Sequence, residues 1–264
     1  MPGSGVGRAA DIVKAVPATD DPQLPEIQFR SEMTVELVRA SAADSDVLFA
    51  ARVSTQGEQT LESAAAGTAA SDRDRGLINY LMRDRHGSPF EHNSMTFYVQ
   101  APIFVFREFM RHRIASYNEE SGRYRELRPV FYVPGPQRRL VQVGKPGAYD
   151  FVDGTPDQTA LAVEEGKRIA TAAYESYQRM LAAGIAREVA RTVLPLSLYS
   201  SMYVTMNARA LMNFLSLRTK REDSTFPSFP QREIELVAEQ MEAAWAALMP
   251  LTHAAFDGNG RVAP

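Results

Sequence analysis

The sequence between Ser94 and Arg113 changes from the period of a strand to the period of a helix within a few residues. Ser94 to Val99 alternates polar with large apolar side chains, which is typical of a strand with one buried face. Pro102 then precedes an apolar run that starts at Ile103, and proline is favoured at the first position of a helix. We therefore predict a strand over 94–99 and a helix over 103–113, so the fold must combine both kinds of element.

Similar patterns predict the rest of the chain. Further strands are predicted over 33–38, 129–134 and 198–205, and further helices over 44–53, 73–85, 160–183, 185–194, 208–217 and 234–248. Segments rich in Gly, Pro or small polar residues predict loops over 55–71, 135–157 and 219–230. No linker separates two apolar cores, so we predict one α+β domain over 31–256. A flexible leader is expected over 1–30 and a flexible tail over 257–264.

Composition excludes several kinds of chemistry. The chain has no cysteine, which rules out a thiolate nucleophile, a cysteine-ligated zinc and an iron–sulfur cluster. Its four histidines, His86, His92, His112 and His253, form no His-Glu-x-x-His motif, so no metal site is predicted. A net charge of −3 argues against wholesale nucleic-acid binding, and no apolar run is long enough to span a membrane. Without a hydrophobic signal core, a cytoplasmic protein is expected.

An arginine-rich segment is the strongest candidate for a binding site. Six arginines lie in it: Arg107, Arg111, Arg113, Arg123, Arg125 and Arg128. Each guanidinium offers a planar fork of donors that suits phosphate and carbonyl groups. Ser116, Asn118 and Ser121 alternate with charged residues where no helix or strand period is present, which favours a loop around a polar ligand. The alternative is a solvated face of Arg and Glu side chains.

Two helical segments are weaker candidates. Arg187 and Arg191 lie one turn apart, although an exposed helix with an Arg/Glu pair is the favoured interpretation of this segment on its own. Asn207 occupies an N-cap position, and Arg209 and Asn213 follow it at one-turn spacing. On an apolar helix face the amide of Asn213 would need partners, which a ligand could supply. The alternative is a capping asparagine plus one bonded to the backbone.

The loop His86-Gly-Ser-Pro-Phe-Glu-His92 is the fourth candidate. Two histidines six residues apart in a loop that contains proline have poor spacing for a metal. Solvated histidines, or histidines satisfied in the core, remain the alternative for this loop.

These four segments together resemble the flavin-dependent thymidylate synthases. The family pattern Arg-His-Arg-x-x-Ser-x-Asn-x-x-Ser-x-Arg-Tyr is matched at every fixed position from Arg111 to Tyr124. The similarity extends from about residue 33 to 256 and includes Ser-Pro-Phe-Glu-His (88–92), Arg-Glu-Val-Ala-Arg (187–191) and Asn-Ala-Arg-x-Leu-Met-Asn-Phe-Leu (207–215).

The resemblance implies a single mixed α/β domain with a twisted antiparallel sheet flanked by helices, assembled as a homotetramer with active sites at subunit interfaces. It implies reductive methylation of dUMP to dTMP in de novo dTMP biosynthesis. The one-carbon donor is 5,10-methylenetetrahydrofolate, FAD carries the hydride, and NADPH is the reductant. The missing cysteine agrees with this, because carbon 5 of uracil must then become nucleophilic without a thiolate. A guanidinium beside the pyrimidine carbonyls can stabilise the negative charge that develops on the ring.

The resemblance also implies which residues bind each ligand. FAD would contact His86, Ser88, Arg111, His112, Arg113, Glu119, Asn207, Arg209 and Asn213. The nucleotide dUMP would contact Glu108, Arg111, Glu119, Glu120, Ser121, Gly122, Arg123, Arg191 and Arg218. Arg218 would be the catalytic residue, placed beside the uracil to favour its ionisation at N3.

This chain departs from the family pattern at two positions. Some members have Gln where Glu108 stands, which leaves the protonation state of Glu108 open. Some have a flavin-contacting His shortly before the final helix, where this chain has Phe229 after a longer loop. No motif identifies the folate-binding residues. Two other functions stay open: methylation of uracil in RNA, which the acidic balance disfavours, and nucleotide binding without catalysis.

Overall fold

The computed structural model describes residues 25–57, 71–145 and 148–264. Its strands are β1 (Gln28–Arg30), β2 (Thr34–Ser41), β3 (Ser94–Pro102), β4 (Ser116–Glu119), β5 (Val130–Tyr132), β6 (Val141–Lys145), β7 (Ala148–Val152) and β8 (Tyr199–Met206). Its α-helices are α1 (Asp44–Gln56), α2 (Asp72–Arg83), α3 (Ile103–Phe109), α4 (Pro156–Ala182), α5 (Arg187–Ala190), α6 (Ala208–Arg218), α7 (Arg232–Leu248) and α8 (Pro250–Gly258). Short 3-10 helices cover Ser88–Glu91 and Arg191–Val193. In these described stretches no helix is long and apolar enough to cross a membrane.

A four-stranded antiparallel sheet in the order β2–β3–β8–β4 forms the centre of the fold. In β3 the side chains of Met95, Phe97 and Val99 are fully buried, as the alternation in the sequence predicts. On the opposite face, Tyr98 packs edge-on against Tyr203 of β8, with ring centroids 5.9 Å apart. The predicted mixed α/β fold with an antiparallel sheet is confirmed.

Helices α6 and α7 contribute much of the main apolar core, and α7 also packs against β2. The fully buried side chains of α7 recur at helical spacing: Ile234, Val237, Met241 and Trp245. Helix α6 begins directly after β8, where the side chain of Asn207 accepts a hydrogen bond from the amide of Ala210 at 2.8 Å. The cap fixes the start of α6, and Arg218 is the last residue of that helix.

A second apolar cluster joins α4 to β5 and to the end of the arginine-rich segment. Phe131 packs edge-on against Tyr174, with ring centroids 6.2 Å apart. The hydroxyl of Tyr177 accepts from the amide of Leu127, and the hydroxyl of Tyr174 donates to the Leu127 carbonyl, both at 3.3 Å. These bonds hold the residues that follow the arginine motif in a defined position.

The helix predicted over 103–113 is too long, because α3 ends at Phe109. In a continuing helix the carbonyl of Phe109 would accept from the amide at position 113. Here it accepts instead from the amide of His112 at 2.8 Å and from the hydroxyl of Tyr117 at 2.9 Å. The single hydroxyl proton of Tyr117 is shared with the carbonyl of His112, 2.6 Å away, which closes the turn. The motif then continues as strand β4, paired with β8, where no strand was predicted.

Two other predictions need correction. The loop predicted over 135–157 contains the hairpin β6–β7 and the first residues of α4. In this hairpin the ring of Tyr149 contacts the ring of Phe229, with centroids 6.0 Å apart. Local sequence gives no signal for a contact between residues so distant in the chain. Helix α8 was not predicted, and the segment assigned to a tail over 257–264 begins inside it. In that segment Arg261 is only 5% exposed.

Some predictions fall partly outside the described residues. Of the leader over 1–30, only 25–30 are described, and Gln28–Arg30 pairs in parallel with β5. Most of the loop over 55–71 also lies outside the described residues.

Candidate active site

Arg218, His112 and Glu108 form the central group of candidate side chains. Arg218 donates from Nε to Nε2 of His112 at 3.0 Å and from one terminal nitrogen to Oε2 of Glu108 at 2.7 Å. The ion pair is mostly buried, with about a fifth of each side chain exposed. The other terminal nitrogen of Arg218 has no hydrogen-bond partner within the described part of the chain, so part of the guanidinium fork remains available to a ligand.

His112 is held in its neutral form. Burial, and secondly the charge of Arg218, lower the pKa of the imidazole to about 4. Because Nε2 accepts from Arg218, the single ring proton lies on Nδ1. The ring packs edge-on against Phe214 of α6 at a centroid distance of 4.9 Å. His112 therefore orients Arg218 without adding a second positive charge.

One carboxylate oxygen of Glu108 bonds to Arg218, and the other has no hydrogen-bond partner among the described residues. Its Oε1 is buried without a hydrogen-bond partner, which is a costly arrangement for a carboxylate. Burial raises the pKa of Glu108, the charge of Arg218 opposes the rise, and nearby Glu233 adds to it. The free oxygen is suited to receive a hydrogen bond from a ligand N–H or O–H group.

An open pocket of about 580 Å³ lies beside this group, and we call it the Arg218 pocket. Its lining residues are Phe104, Arg107, Glu108, Arg111, Leu196, Arg218 and Gln231. Three guanidinium groups against one carboxylate give the pocket an excess of positive charge, which would suit a negatively charged or carbonyl-rich ligand. Sequence reasoning missed Phe104, Leu196 and Gln231, because apolar or neutral residues outside the motifs give no chemical signal.

A second group forms around the end of β4. The buried hydroxyl of Ser200 on β8 donates to Oε1 of Glu119 at 2.7 Å. Burial raises the pKa of Glu119, while this bond and the charge of Arg191 oppose the rise. Ser200 was missed in the sequence, since only the pairing of β4 with β8 brings it to Glu119. The neighbouring Glu120 pairs with Arg125 at 3.4 Å.

Ser121 to Arg123 form a tight turn after β4. The hydroxyl of Ser121 accepts from the amide of Arg123 at 3.2 Å. A side chain at Gly122 would place its Cβ 2.8 Å from Leu127 Cδ1 and 3.2 Å from Arg191 Cδ. Glycine at this position therefore lets the side chains of Leu127 and Arg191 pack closely against the turn. The exposed Arg123 pairs with Glu188 at 3.0 Å, and an anionic ligand can replace so exposed a partner.

A third group lies where the loop before β3 meets the start of α6. Arg209 donates to Glu91 at 2.5 Å and to the backbone oxygen of Pro264 at 2.6 Å. A Cβ at Gly87 would lie 2.6 Å from the Arg209 guanidinium, so glycine permits this close approach. Ser88 is exposed in the same loop, and His86 stacks on Tyr80 at 5.5 Å.

The two asparagines of α6 have different surroundings. Asn207 is the N-cap of α6, as the alternative of a capping asparagine predicted. Asn213 does not lie on a buried face as the sequence argument assumed. The Asn213 side chain is exposed, and it donates to the carbonyl of Arg209, one turn earlier in the helix, at 3.0 Å. The neighbouring Met212 and Phe214 take the buried positions. Arg113 is exposed as well.

The three groups are not bonded to one another within the described part of the chain. None of the hydrogen bonds and ion pairs between described residues joins the Arg218 group, the Glu119–Arg191 group and the Arg209 group to one another. Large apolar side chains are exposed close to the motif: Ile114 is 74% and Tyr124 is 79% exposed.

A cluster that could resemble a metal site lies elsewhere. Glu242, His253 and Asp257 bring ligand atoms within 4.8 Å of one another. The buried guanidinium of Arg261 already bonds to Glu242 at 2.7 Å and also to Asp257. Glu242 has a pKa lowered to about 2; burial opposes the lowering, but bonds to His253 and Arg261 outweigh it. Arg261 supplies the positive charge that these carboxylates need.

Comparisons with known proteins show which proteins this chain is similar to. The family model described as thymidylate synthase complementing protein matches residues 36–251. A flavin-dependent thymidylate synthase from Streptomyces coelicolor is 66% identical over 253 residues, which are 94% of this chain and 99% of that protein. One from Tropheryma whipplei (strain TW08/27) is 64% identical over 236 residues, 89% of this chain and 97% of that protein. The crystal structure of the UMP/dUMP methylase PolB from Streptomyces cacaoi with 5-Br dUMP has a TM-score of 0.84 at 59% identity, covering 90% of this chain and 100% of that chain.

Proposed function

The chain belongs to the flavin-dependent thymidylate synthases, and on this premise we propose that it converts dUMP to dTMP by reductive methylation. The one-carbon unit comes from 5,10-methylenetetrahydrofolate, and NADPH is the reductant. FAD, when bound, supplies the hydride. The observation that carries the proposal is the Arg218 group: a mostly buried guanidinium, held by a neutral His112 and by Glu108, with donors free toward a pocket.

Arg218 is the residue to which we assign activation of uracil. A guanidinium that faces the pyrimidine carbonyls stabilises negative charge on the ring and so favours loss of the N3 proton. His112 and Glu108 hold the Arg218 guanidinium in place before the substrate binds, so the guanidinium does not have to reorient during the reaction. The free Oε1 of Glu108 is available to a donor of the nucleotide. These residues raise the electron density at carbon 5 without any thiolate.

The Glu119–Arg191 group is proposed to bind the rest of dUMP. Arg191 and Arg123 flank a turn in which Gly122 leaves room for neighbouring side chains, and both guanidinium groups suit a phosphate. Ser121 and Glu120 complete the expected contacts, and Arg111 reaches the Arg218 pocket. Glu119 is the last residue of β4 and is expected to meet both ligands.

The residues assigned to FAD fit a ligand that has phosphates and ring carbonyls. Arg209, Ser88 and Asn213 are exposed or half-exposed donors, and the glycine at 87 leaves room for the Arg209 guanidinium above the loop. Arg111, Arg113 and His112 lie on the turn after α3, and His86 is in the loop of Ser88. As a set they offer donors but few acceptors, which agrees with an anionic cofactor.

We further propose that a homotetramer completes each active site. No hydrogen bond or ion pair between described residues joins the three groups that a single reaction must use together, and exposed apolar residues such as Ile114, Tyr124 and Met110 flank the motif. Surfaces of this kind mark protein interfaces. Because the substrates are soluble metabolites, we place the enzyme in the cytoplasm, with the catalytic domain over 31–256.

Omission experiments test the function directly. Purified protein loaded with FAD is expected to show flavin absorbance and to form dTMP from dUMP only when NADPH and methylenetetrahydrofolate are both present. Release of tritium from dUMP labelled at carbon 5 provides a second readout. Protein that binds dUMP in calorimetry but forms no dTMP under these conditions would instead be a binding module.

Methylation of UMP is a second candidate activity. It is favoured by the solved structure of PolB, named a UMP/dUMP methylase, bound with 5-Br UMP, which is 58% identical over 90% of this chain. Parallel assays with dUMP, UMP and a uridine-containing RNA distinguish the alternatives. We expect dUMP to be preferred and RNA to be inert, and a higher kcat/KM for UMP would reassign the substrate.

A further inference from the structure

Residues 259–264, which follow α8, contact α6 near both of its ends, and we call them the 259–264 strap. At the end of α6, one terminal nitrogen of the Arg261 guanidinium donates to the hydroxyl of Thr219 at 3.0 Å. Thr219 is the C-cap of α6. At the start of the helix, the side chain of Arg209 donates to the backbone oxygen of Pro264 at 2.6 Å. The strap therefore meets α6 beside Arg209 and again at the residue that follows the proposed catalytic arginine.

Arg261 is held firmly within the strap. Its side chain is buried, and the other terminal nitrogen donates to Glu242 at 2.7 Å and also to Asp257. Its guanidinium lies over the ring of Phe256, 4.9 Å from the centroid. Its backbone has a φ of 56°, a left-handed conformation that a residue with a side chain keeps only when its surroundings impose it. These contacts fix the direction in which Arg261 reaches Thr219.

Thr219 is bonded on every side at the point where the chain leaves α6. Its side chain is almost fully buried, and its amide donates to the carbonyl of Leu215 at 3.0 Å. Its hydroxyl donates to the same carbonyl at 2.7 Å, so the hydroxyl oxygen is left to accept from Arg261. Its carbonyl accepts from the hydroxyl of Ser228. The backbone from which the neighbouring Arg218 side chain extends is thereby fixed.

We propose that Arg261 is a positioning residue for Arg218 and acts through Thr219. This inference rests on the proposed function. His112 and Glu108 hold the guanidinium end of Arg218, and the bond from Arg261 to Thr219 holds its backbone end. Arg261 does not line the Arg218 pocket, so its effect passes through Thr219. Charge on the uracil ring is stabilised only by a donor at the right distance and angle, so a loosened backbone should slow the reaction more than it weakens binding.

The test compares variants of the FAD-loaded enzyme at Thr219. Thr219→Val removes the hydroxyl and keeps the shape, and Thr219→Ser keeps the hydroxyl. We expect Thr219→Val to lower kcat for dTMP formation about ten-fold, with the KM for dUMP within about two-fold of the wild-type value. Thr219→Ser should restore most of the lost kcat.

A double-variant comparison tests Arg261 itself. Arg261→Lys keeps a positive charge beside Glu242 but lacks the planar fork that serves Glu242 and Thr219 together. It should therefore lower kcat about as much as Thr219→Val does. Because both changes break the same bond, the double variant should lose no more kcat than either single variant.

Ionisation of bound 5-fluoro-dUMP gives a readout that does not depend on turnover. Fluorine NMR follows the loss of its N3 proton as the pH is raised, in the absence of folate. If Arg218 is correctly placed, the nucleotide bound to wild type ionises at a lower pH than the free nucleotide does. Thr219→Val and Arg261→Lys should each raise that pH by about one unit, which is a ten-fold change in the ionisation equilibrium.

Thr252→Val is the matched control. Thr252 is fully buried, and its hydroxyl bonds to Asp44 at 2.7 Å, outside the three groups described above. This variant should lower the urea midpoint about as much as Thr219→Val does, but leave kcat and the ionisation pH unchanged. The positioning role is overturned if Thr219→Val ionises the bound nucleotide at the wild-type pH, or if the control loses as much kcat. If wild type forms no dTMP, the proposed function fails, and the ionisation pH of the bound nucleotide still decides the role of Arg261.

Discussion

Acidification should weaken this fold through His112, because its partly buried imidazole is held in the neutral form. Its pKa in the folded chain is about 4, against 6.5 as the ordinary value. The unfolded chain therefore binds this proton more readily than the folded chain does. The stability that depends on neutral His112 is fully present above a pH of about 6.5 and is lost progressively as the pH falls toward about 4.

The size of the effect follows from the two pKa values. Between about pH 7.5 and about pH 5, proton linkage at a single site with these values removes about 2 kcal/mol from the free energy of unfolding. Glu108 acts in the opposite direction, since its raised pKa makes protonation favour the folded state. The wild-type protein alone therefore shows the sum of several titrations, and a comparison is needed to isolate His112.

The comparison is urea unfolding of wild type and His112→Gln, followed by far-ultraviolet circular dichroism. The glutamine oxygen can still accept the hydrogen bond that Arg218 makes to Nε2, but the side chain does not titrate. Protein concentration is held fixed, because subunit association would change apparent stability. We expect the stability advantage of wild type over the variant to fall by about 2 kcal/mol from about pH 7.5 to about pH 5.

Parallel pH dependences would refute this reasoning. If the two proteins lose stability together, within about 0.5 kcal/mol, then His112 does not resist protonation in the folded chain. In that case the imidazole would carry charge beside Arg218, and its role as a neutral acceptor would be wrong.

Three further changes test the other groups. Arg218→Ala should lower dTMP formation by about 100-fold, the usual effect of losing one preorganised donor, with a smaller effect on the urea midpoint; wild-type turnover would contradict its catalytic role. Gly122→Ala should raise the KM for dUMP by about ten-fold, because the new Cβ would overlap Leu127 and crowd Arg191; an unchanged KM would mean that the turn adapts. Ser200→Ala removes the 2.7 Å bond that favours ionised Glu119, so the acid limb of the pH–rate profile should move to higher pH. An unmoved limb would exclude Glu119 from that ionisation.

The central fold could be predicted because local periods dominate there. The alternation over 94–99 fixes which side chains of β3 enter the core, and the spacing of Ile234, Val237 and Trp245 does the same for α7. These side chains are large and apolar, and burial on one face is the strongest contribution to their placement.

The elements that were missed depend on contacts between distant residues. Helix α3 stops where the hydroxyl of Tyr117 takes the Phe109 carbonyl, and a tyrosine several residues later is no signal for a helix end. The hairpin β6–β7 has exposed valines at 143 and 152, and one of its ring contacts is Phe229, more than seventy residues along the chain. For Asn213, a one-residue difference in helix phase separates an exposed amide from a buried one.

The candidate site shows the same division between local pattern and tertiary contact. The motifs identified Arg218, His112 and Glu108 one by one as candidate site residues. The hydrogen bonds from Arg218 to His112 and Glu108 span 106 and 110 residues, and sequence spacing does not predict such contacts. The structure adds the reason why the three belong together. A second cation at His112 would repel Arg218, and a fully paired Glu108 would cancel its charge. Burial keeps His112 neutral, and the geometry leaves one oxygen of Glu108 and part of the Arg218 fork unsatisfied. A nucleotide base, which carries both donors and acceptors, is the kind of ligand that completes both groups at once.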